Sequence, residues 1–296
     1  MASICIVTEQ LPPAFAWDPA FPVRGTEKFY VQTAENLAEF GHNVTVFYDG
    51  ADKKLKAEYK NRRDVALKTF DAALVCNRRS VGMAHKMTKN VVEWTNFYPW
   101  MDFGSDDEPL IVISEIAKKT LPLTKRPVHV IGHGVDPSVF HKPAPDAAPR
   151  QKIVLYTSSP DRGLQRLEKL WRAYDVENTY GYKLVATSYG TTRLSDHDVA
   201  DFLRSASFWV HPGAGVELYC LAAVEAQACG ATPIVVPNGA LRETVLHGYR
   251  FTNEAFDAGL VGILAGDATM DGIDGSWIPT WAEVTREIER VLLAKQ

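Results

Sequence analysis

The sequence predicts an α/β protein of two domains, each a parallel β-sheet wrapped by helices. Three observations carry this. Short apolar runs alternate with longer amphipathic ones along the whole chain, the pattern of strand–helix–strand units. The 296 residues exceed what one hydrophobic core usually organises, so two domains of roughly 140 residues are expected. The alternation is interrupted at Pro137 to Arg150, where four prolines stand in a stretch without periodicity, as in a linker.

In the first half, strands are expected at Ser3–Val7, Asn43–Tyr48, Ala72–Cys76, Val91–Trp94, Leu110–Ser114 and Val128–Ile131. Helices are expected at Glu27–Phe40, Lys53–Lys68 and Glu115–Leu121, with Gly41 in the position that favours a left-handed cap. The second half restarts with strands at Ile153–Thr157, Lys183–Thr187, Phe208–His211 and Pro233–Val236. Its helices fall near Gly163–Tyr174, Asp196–Arg204, Leu218–Cys229, Ala240–His247, Glu254–Leu264 and Thr280–Leu293. The expected domains are therefore 1–136 and 151–279, joined by 137–150. A closing helix at 280–296 is free to pack back on the first domain.

Composition narrows the function. Apolar residues make up 46% and charged residues 23%, as in ordinary globular proteins. A net charge of −4 and a pI near 6.1, without a Lys/Arg-rich run, give no footprint for nucleic acid. Cys5, Cys76, Cys220 and Cys229 lie far apart, which argues against a metal knuckle or a disulfide framework and for the cytoplasm. No apolar run reaches the roughly 18 residues that span a bilayer, so any membrane contact is expected to be peripheral.

In such sheets ligands sit beyond the carboxyl ends of the strands. That directs attention to Glu9–Thr26, Asn77–Arg79, Thr95–Tyr98, Ser158–Arg162, Ser188–Thr192 and Pro212–Tyr219. The last is the most informative. A strand ends at His211, a glycine-containing loop follows, and a helix runs to its stop at Gly230. From Leu221 to Cys229 only Glu225 and Gln227 are polar, which marks a buried helix. A buried Glu225 requires a partner. The helix start lacks Ser, Thr, Asp or Asn at a clear cap, leaving amides that suit a phosphate. Glu217, those amides and Glu225 form a clamp for a molecule with a diphosphate between two hydroxyl-rich parts.

The Glu217-x7-Glu225 spacing, followed by Ala226-Gln227-Ala228-Cys229-Gly230 and Pro233-Ile234-Val235-Val236, resembles the donor site of family 4 retaining glycosyltransferases. Tyr156-Thr157-Ser158-Ser159-Pro160-Asp161-Arg162-Gly163-Leu164 and Gly239-Ala240-Leu241-x-Glu243-Thr244-Val245 resemble a bacterial and viral subgroup of that family. The likeness is specific over residues 151 to about 247. It is looser earlier, at Gly25-Thr26-Glu27, Gly41-His42-x-Val44-x-Val46, Ser114-Glu115 and Gly134-Val135-Asp136.

The resemblance implies the GT-B architecture, two Rossmann-like domains facing across a cleft. It also implies transfer of a hexose from a nucleotide-diphosphate sugar to a glycan, glycolipid or glycoprotein acceptor, with retention. It places Glu217 on the donor sugar, Glu225 on the ribose, and Arg162 on the diphosphate with backbone amides of Tyr219, Cys220 and Leu221. Gly25, Thr187 and His211 join the donor-binding set. No cofactor and no metal are expected, since preorganised donors can stabilise a departing diphosphate alone and bidentate Arg suits that task.

Two departures from the family pattern stand out. Leu218 and Tyr219 follow the first glutamate, where relatives often have small or hydroxyl residues. The segment Val91-Val92-Glu93-Trp94-Thr95-Asn96 lacks the histidine that many relatives place on the acceptor side. Asn96 and Glu93 are the candidates to replace it, with Arg78 and Arg79 as basic residues for an anionic acceptor. His85 and His133 read as an exposed helical and a turn histidine. Trp94, Phe97, Tyr98 and Trp100 read as core or wall, and Asp106-Asp107 as a polar turn.

Other functions share these features. A nucleotide-sugar epimerase or phosphorylase has the same two-domain architecture, and a non-catalytic sugar-binding relative keeps the same clamp. A nicotinamide-dependent oxidoreductase fits poorly. Gly213-Ala214-Gly215 follows a strand, but Leu218 breaks the G-x-G-x-x-G pattern and no acid stands about 20 residues on.

Overall fold

The structure, a computed structural model, describes residues 1–9, 11, 25–65, 68–76, 78–95, 108–122, 124–187, 194–266 and 273–294. These residues form two compact units. One comprises the described residues up to Gly134 together with those from Pro279 onward, and the other is Val135–Ile278.

The first unit contains strands β1 (Ser3–Val7), β2 (Asn43–Tyr48), β3 (Lys53–Lys54), β4 (Glu58–Asn61), β5 (Ala72–Val75), β6 (Val91–Thr95), β7 (Leu110–Val112) and β8 (Val128–Val130). They form one sheet in the order β3-β4-β2-β1-β5-β6-β7-β8. All neighbours pair in parallel except β3 with β4. Ile4, Cys5, Ile6 and Val7 of the central strand are all fully buried, which is why β1 is apolar on both faces. Helices α1 (Gly25–Glu39), α2 (Arg78–Ala84) and α3 (Glu115–Lys119) connect the strands.

The expected helix at Lys53–Lys68 does not form. Its Lys, Glu and Ala content favours helix, but tertiary contacts override that preference. The Glu35 carboxylate on α1 accepts hydrogen bonds from the Lys56 and Ala57 amides and the Tyr59 hydroxyl, at 2.9, 3.3 and 2.9 Å. These hold the chain extended, so that β4 pairs with β2. Helix α2 was not expected, its seven residues being too few for a clear period.

The second unit runs β9 (Gln151–Tyr156), α4 (Leu164–Ala173), α5 (Val176–Tyr180), β10 (Lys183–Ala186), α6 (Asp196–Ser205), β11 (Ala206–His211), α7 (Leu221–Ala228), β12 (Thr232–Val235), α8 (Leu241–Thr244), β13 (Tyr249–Arg250) and α9 (Phe256–Gly266). Its sheet is wholly parallel in the order β10-β9-β11-β12-β13. Alternate strand residues feed two cores, as the two-residue pleat requires. Leu155, Trp209 and Val235 pack with α6 and α7 residues, and Val154, Phe208, Val210 and Ile234 with α4 and α9 residues.

The proline-rich segment 137–150 is anchored to this unit. Val139 and Phe140 are buried in its core. The Arg150 guanidinium donates to the carbonyls of Leu203, Ala206 and Cys229 at 2.9, 2.8 and 2.6 Å.

The closing helix α10 (Trp281–Leu292) belongs to the first unit. Trp281, Val284, Ile288 and Leu292 are buried, a helical stripe. Thr280 and Glu283 form a capping box at its start, a reciprocal arrangement that satisfies two otherwise open amides. Glu289 meets His42 Nε2 at 2.8 Å, and the Asn90 amide donates to the Leu292 carbonyl at 2.5 Å. Among the described residues no helix is long and apolar enough to cross a membrane.

Candidate functional site

In the second sheet β9 lies between β10 and β11. The chain leaves β9 toward one side and later returns to the other, so β9 and β11 flank the topological switch point where ligands of open α/β sheets bind. The loops leaving these two strands carry Arg162 and Glu217.

After β9 the chain forms a short 3-10 turn, Pro160–Arg162. The Tyr156 hydroxyl donates to the Ser159 carbonyl at 2.5 Å, and the Trp209 indole N–H of β11 donates to Thr157 Oγ1 at 2.8 Å. Gly163 ends the turn at φ +113°, and a Cβ there would lie 2.4 Å from Pro212 Cγ. A glycine is thus required where the loops after β9 and β11 touch. This gives the Arg-Gly pair its physical reason: the glycine brings Arg162 to the neighbouring loop.

That loop is held by Asn238-Gly239-Ala240. The Asn238 side-chain amide donates to the carbonyls of Gly213 and Gly215 at 3.2 and 2.7 Å. The Ala240 amide donates to the Glu217 carbonyl at 2.7 Å. Gly239 adopts φ +58°, and a Cβ at this position would stand 2.2 Å from that same carbonyl oxygen.

The side chains then converge. Glu217 Oε1 is 3.6 Å from Arg162 Nε and 3.4 Å from His211 Nε2. His211 is fully buried, Glu217 is 15% exposed and Arg162 is 30% exposed. The His211 contact falls outside hydrogen-bond geometry, and Nε2 has no hydrogen-bond partner among the described residues. The opposite ring nitrogen, Nδ1, accepts from the Gly213 amide at 3.1 Å. Asp161 lies 3.8 Å from Arg162 Nε. Its carboxyl is held below the usual range, first by the Ser159 hydroxyl and then by the Arg162 charge.

Helix α7 starts at Leu221, three residues later than expected, because Cys220 takes the left-handed conformation at φ +65°. No side chain caps this start. Burial, and then the Glu217 charge, push the Cys220 thiol well above its ordinary pKa. Glu225 is buried on α7 at 8% exposure. Gln227 is fully buried and its amide group is used in full. Nε2 donates to the carbonyls of Ala223 and Thr244, and Oε1 accepts from the Leu246 and His247 amides. These last two bonds take the amides that a longer α8 would need. The helix expected at Ala240–His247 therefore stops at Thr244.

Tyr219 and Cys220 pack against the α6–α7 core. The Thr187 amide donates to the Tyr156 carbonyl at 2.9 Å, extending the β9–β10 ladder. Beside the loop lies a depression of about 650 Å³ whose lining includes Gly213, Asn238, Arg242, Arg250 and Phe251. Sequence reasoning missed Asn238 as the loop's anchor, because its partners lie 23 and 25 residues away.

The first unit is less concentrated. Gly25 is the first residue of α1. Glu93, a candidate to replace the acceptor-side histidine, is buried at 1% exposure and paired at 2.8 Å with Arg126, itself 3% exposed. Trp94 stacks on Phe29 with centroids 3.8 Å apart, so it is core. His133 is buried against Phe29, Trp94 and Trp281. Burial first, and then the Lys28 charge, lower its pKa to about 3. His85 meets Glu108 at 2.6 Å. Arg78 and Arg79 open α2. Asn77, Asn96, Phe97, Tyr98, Trp100, Asp106 and Asp107 lie outside the described residues.

No protein-family profile matches this chain. No curated protein sequence matches it either. Solved structures do. AviGT4, a glycosyltransferase involved in avilamycin A biosynthesis, superposes with a TM-score of 0.69 at 16% identity, over 99% of this chain and 98% of its own. Sucrose-phosphate synthase from Thermosynechococcus elongatus gives 0.65 at 15% identity, over 99% and 95%. Anabaena HepE, in complex with UDP and glucose, gives 0.61 at 13% identity, over 99% and 96%. At these identities the likeness is one of fold, and the fold is GT-B.

Proposed function

We propose that this chain is a glycosyltransferase moving a hexose from a nucleotide-diphosphate sugar to a hydroxyl of a glycan, glycolipid or glycoprotein acceptor. The observation that carries the reading is the meeting of Arg162, Glu217 and His211 at the switch point of the second sheet. A carboxylate beside a guanidinium, next to an uncapped helix start, offers the two things a nucleotide sugar needs. The carboxylate accepts from sugar hydroxyls. The guanidinium and the amides near Tyr219, Cys220 and Leu221 take the diphosphate.

In this reading the bond from the anomeric carbon to the diphosphate oxygen breaks, the acceptor hydroxyl oxygen bonds to that carbon and its proton passes to the departing diphosphate, whose remaining charge is met by Arg162 and those amides. Donors already in place lower the barrier without reorganising during reaction. Glu225, buried on α7, takes the ribose. We place the chain with family 4 retaining enzymes on its motifs, and we assign it a metal-independent reaction in the cytoplasm.

A thermal-shift panel of UDP, GDP, ADP and their sugars tests the reading, because a ligand that binds the native state raises its stability. At least one nucleotide sugar is expected to stabilise the protein. A panel without any shift counts against the assignment. Product NMR decides retention, and activity after exhaustive chelation decides whether a metal is needed.

A further inference from the structure

We propose that His211 is a positioning residue, an imidazole locked in one tautomer whose Nε2–H orients the Glu217 carboxylate toward the donor sugar. This rests on the donor reading of Glu217 above.

His211 is the last residue of β11 and is fully buried. Its Nδ1 accepts the Gly213 amide hydrogen at 3.1 Å, so Nδ1 carries the lone pair and the ring proton resides on Nε2. That Nε2 faces Glu217 Oε1 at 3.4 Å and has no hydrogen-bond partner among the described residues. A buried N–H without an acceptor is unfavourable, and a small rotation of the carboxylate closes the bond. Arg162 Nε approaches the same oxygen at 3.6 Å. Two N–H groups thus converge on Oε1 and leave Oε2 to meet a ligand hydroxyl. The peptide that turns the chain from β11 into the loop thereby also fixes the tautomer.

The same neighbourhood admits a rival. Ligand atoms of His211, Glu217 and Cys220 all lie within 4.8 Å of one another, a spacing that a divalent metal could draw together. A metal-bound imidazole, however, presents a lone pair to the metal and donates its other N–H to an acceptor. Here the other nitrogen faces an amide donor. The hydrogen bonding therefore favours a donor role for Nε2 over metal ligation.

Histidine-selective 15N NMR of the full chain, with the His211 signals identified by their loss in His211→Phe, reads the tautomer directly. Nε2–H is expected. Binding is then measured with the nucleotide sugar that the thermal-shift panel selects and with its nucleoside diphosphate. His211→Phe is expected to weaken the nucleotide sugar at least roughly tenfold, the scale of one hydrogen bond to a charged group. The diphosphate, which lacks the sugar, is expected to bind within about twofold of wild type by the same scale. His211→Gln, which restores an N–H near the Nε2 position, is expected to recover most of the loss.

Equal weakening of both ligands would make His211 a structural support and overturn the proposal, as would no change in either. A proton on Nδ1, or zinc-induced shifts of the His211 nitrogens that vanish in Cys220→Ser, would overturn it in favour of metal ligation. Wild-type protein that binds neither ligand overturns the donor reading, and the role of His211 with it. The Nδ1–H result removes the His211 role alone.

Discussion

The Glu217 carbonyl accepts the Ala240 amide at 2.7 Å, across a gap that closes if residue 239 carries a side chain. Gly239 sits at φ +58° and a Cβ there would lie 2.2 Å from the Glu217 oxygen. Gly239→Ala therefore adds left-handed strain to a backbone clash. The expected cost is at least about 2 kcal/mol, measured by chemical denaturation. Nucleotide-sugar binding is expected to fall further than stability alone explains, because the loop carries Glu217. A variant of wild-type stability would show that this contact does not hold the loop.

Glu217→Ala and Arg162→Ala are each expected to cut turnover by at least roughly tenfold, since charge-assisted hydrogen bonds are worth about 1.5–3 kcal/mol. Both side chains are partly exposed, so the folded state should survive either change. Steady-state kinetics beside a melting curve separates the two effects. Full turnover in either variant would sink the donor assignment.

The legible part of this molecule was local. Strands Ser3–Val7 and Asn43–Tyr48 have bounds that the structure reproduces, the first because burial on both faces selects a continuous apolar run, the second because Val44, Val46 and Tyr48 alternate on one buried face. The loop after β11 was legible because a strand, glycines, a glutamate and a buried helix follow one another in sequence. What escaped was set by distant partners. Glu35 turns an expected helix into strand β4, Gln227 shortens α8, and Asn238 pins the site loop. None of these partners leaves a mark within one turn or one strand of the segment it controls. The burial and pairing of Glu93 escaped for the same reason: Arg126, its partner, stands 33 residues away.

That pair makes its own prediction. Glu93 and Arg126 are 1% and 3% exposed and 2.8 Å apart. Breaking a buried pair from one side leaves a charge without its counterion and costs about 3–5 kcal/mol. Arg126→Met should therefore destabilise the first unit strongly. Adding Glu93→Gln should recover a substantial part, because the buried carboxylate that lost this guanidinium is then neutral. Urea denaturation of the single and double variants reads this. A double variant no more stable than Arg126→Met would show that the charge pairing is not what matters there.

His133 gives stability a defined pH dependence. In the folded chain its pKa is lowered from 6.5 to about 3, chiefly by burial, and in the unfolded chain the ring titrates near its ordinary value. Between these two values the unfolded state binds more protons than the folded one, so unfolding becomes easier as pH falls. The contribution is fully present above about pH 6.5 and is lost on acidification toward pH 3, at up to about 1.4 kcal/mol per pH unit. His133→Phe, which keeps a ring against Phe29, Trp94 and Trp281, is expected to flatten the stability curve between pH 7 and pH 5 relative to wild type. Chemical denaturation at both pH values measures the difference, and equal slopes for the two proteins would mean that His133 is not the titrating group.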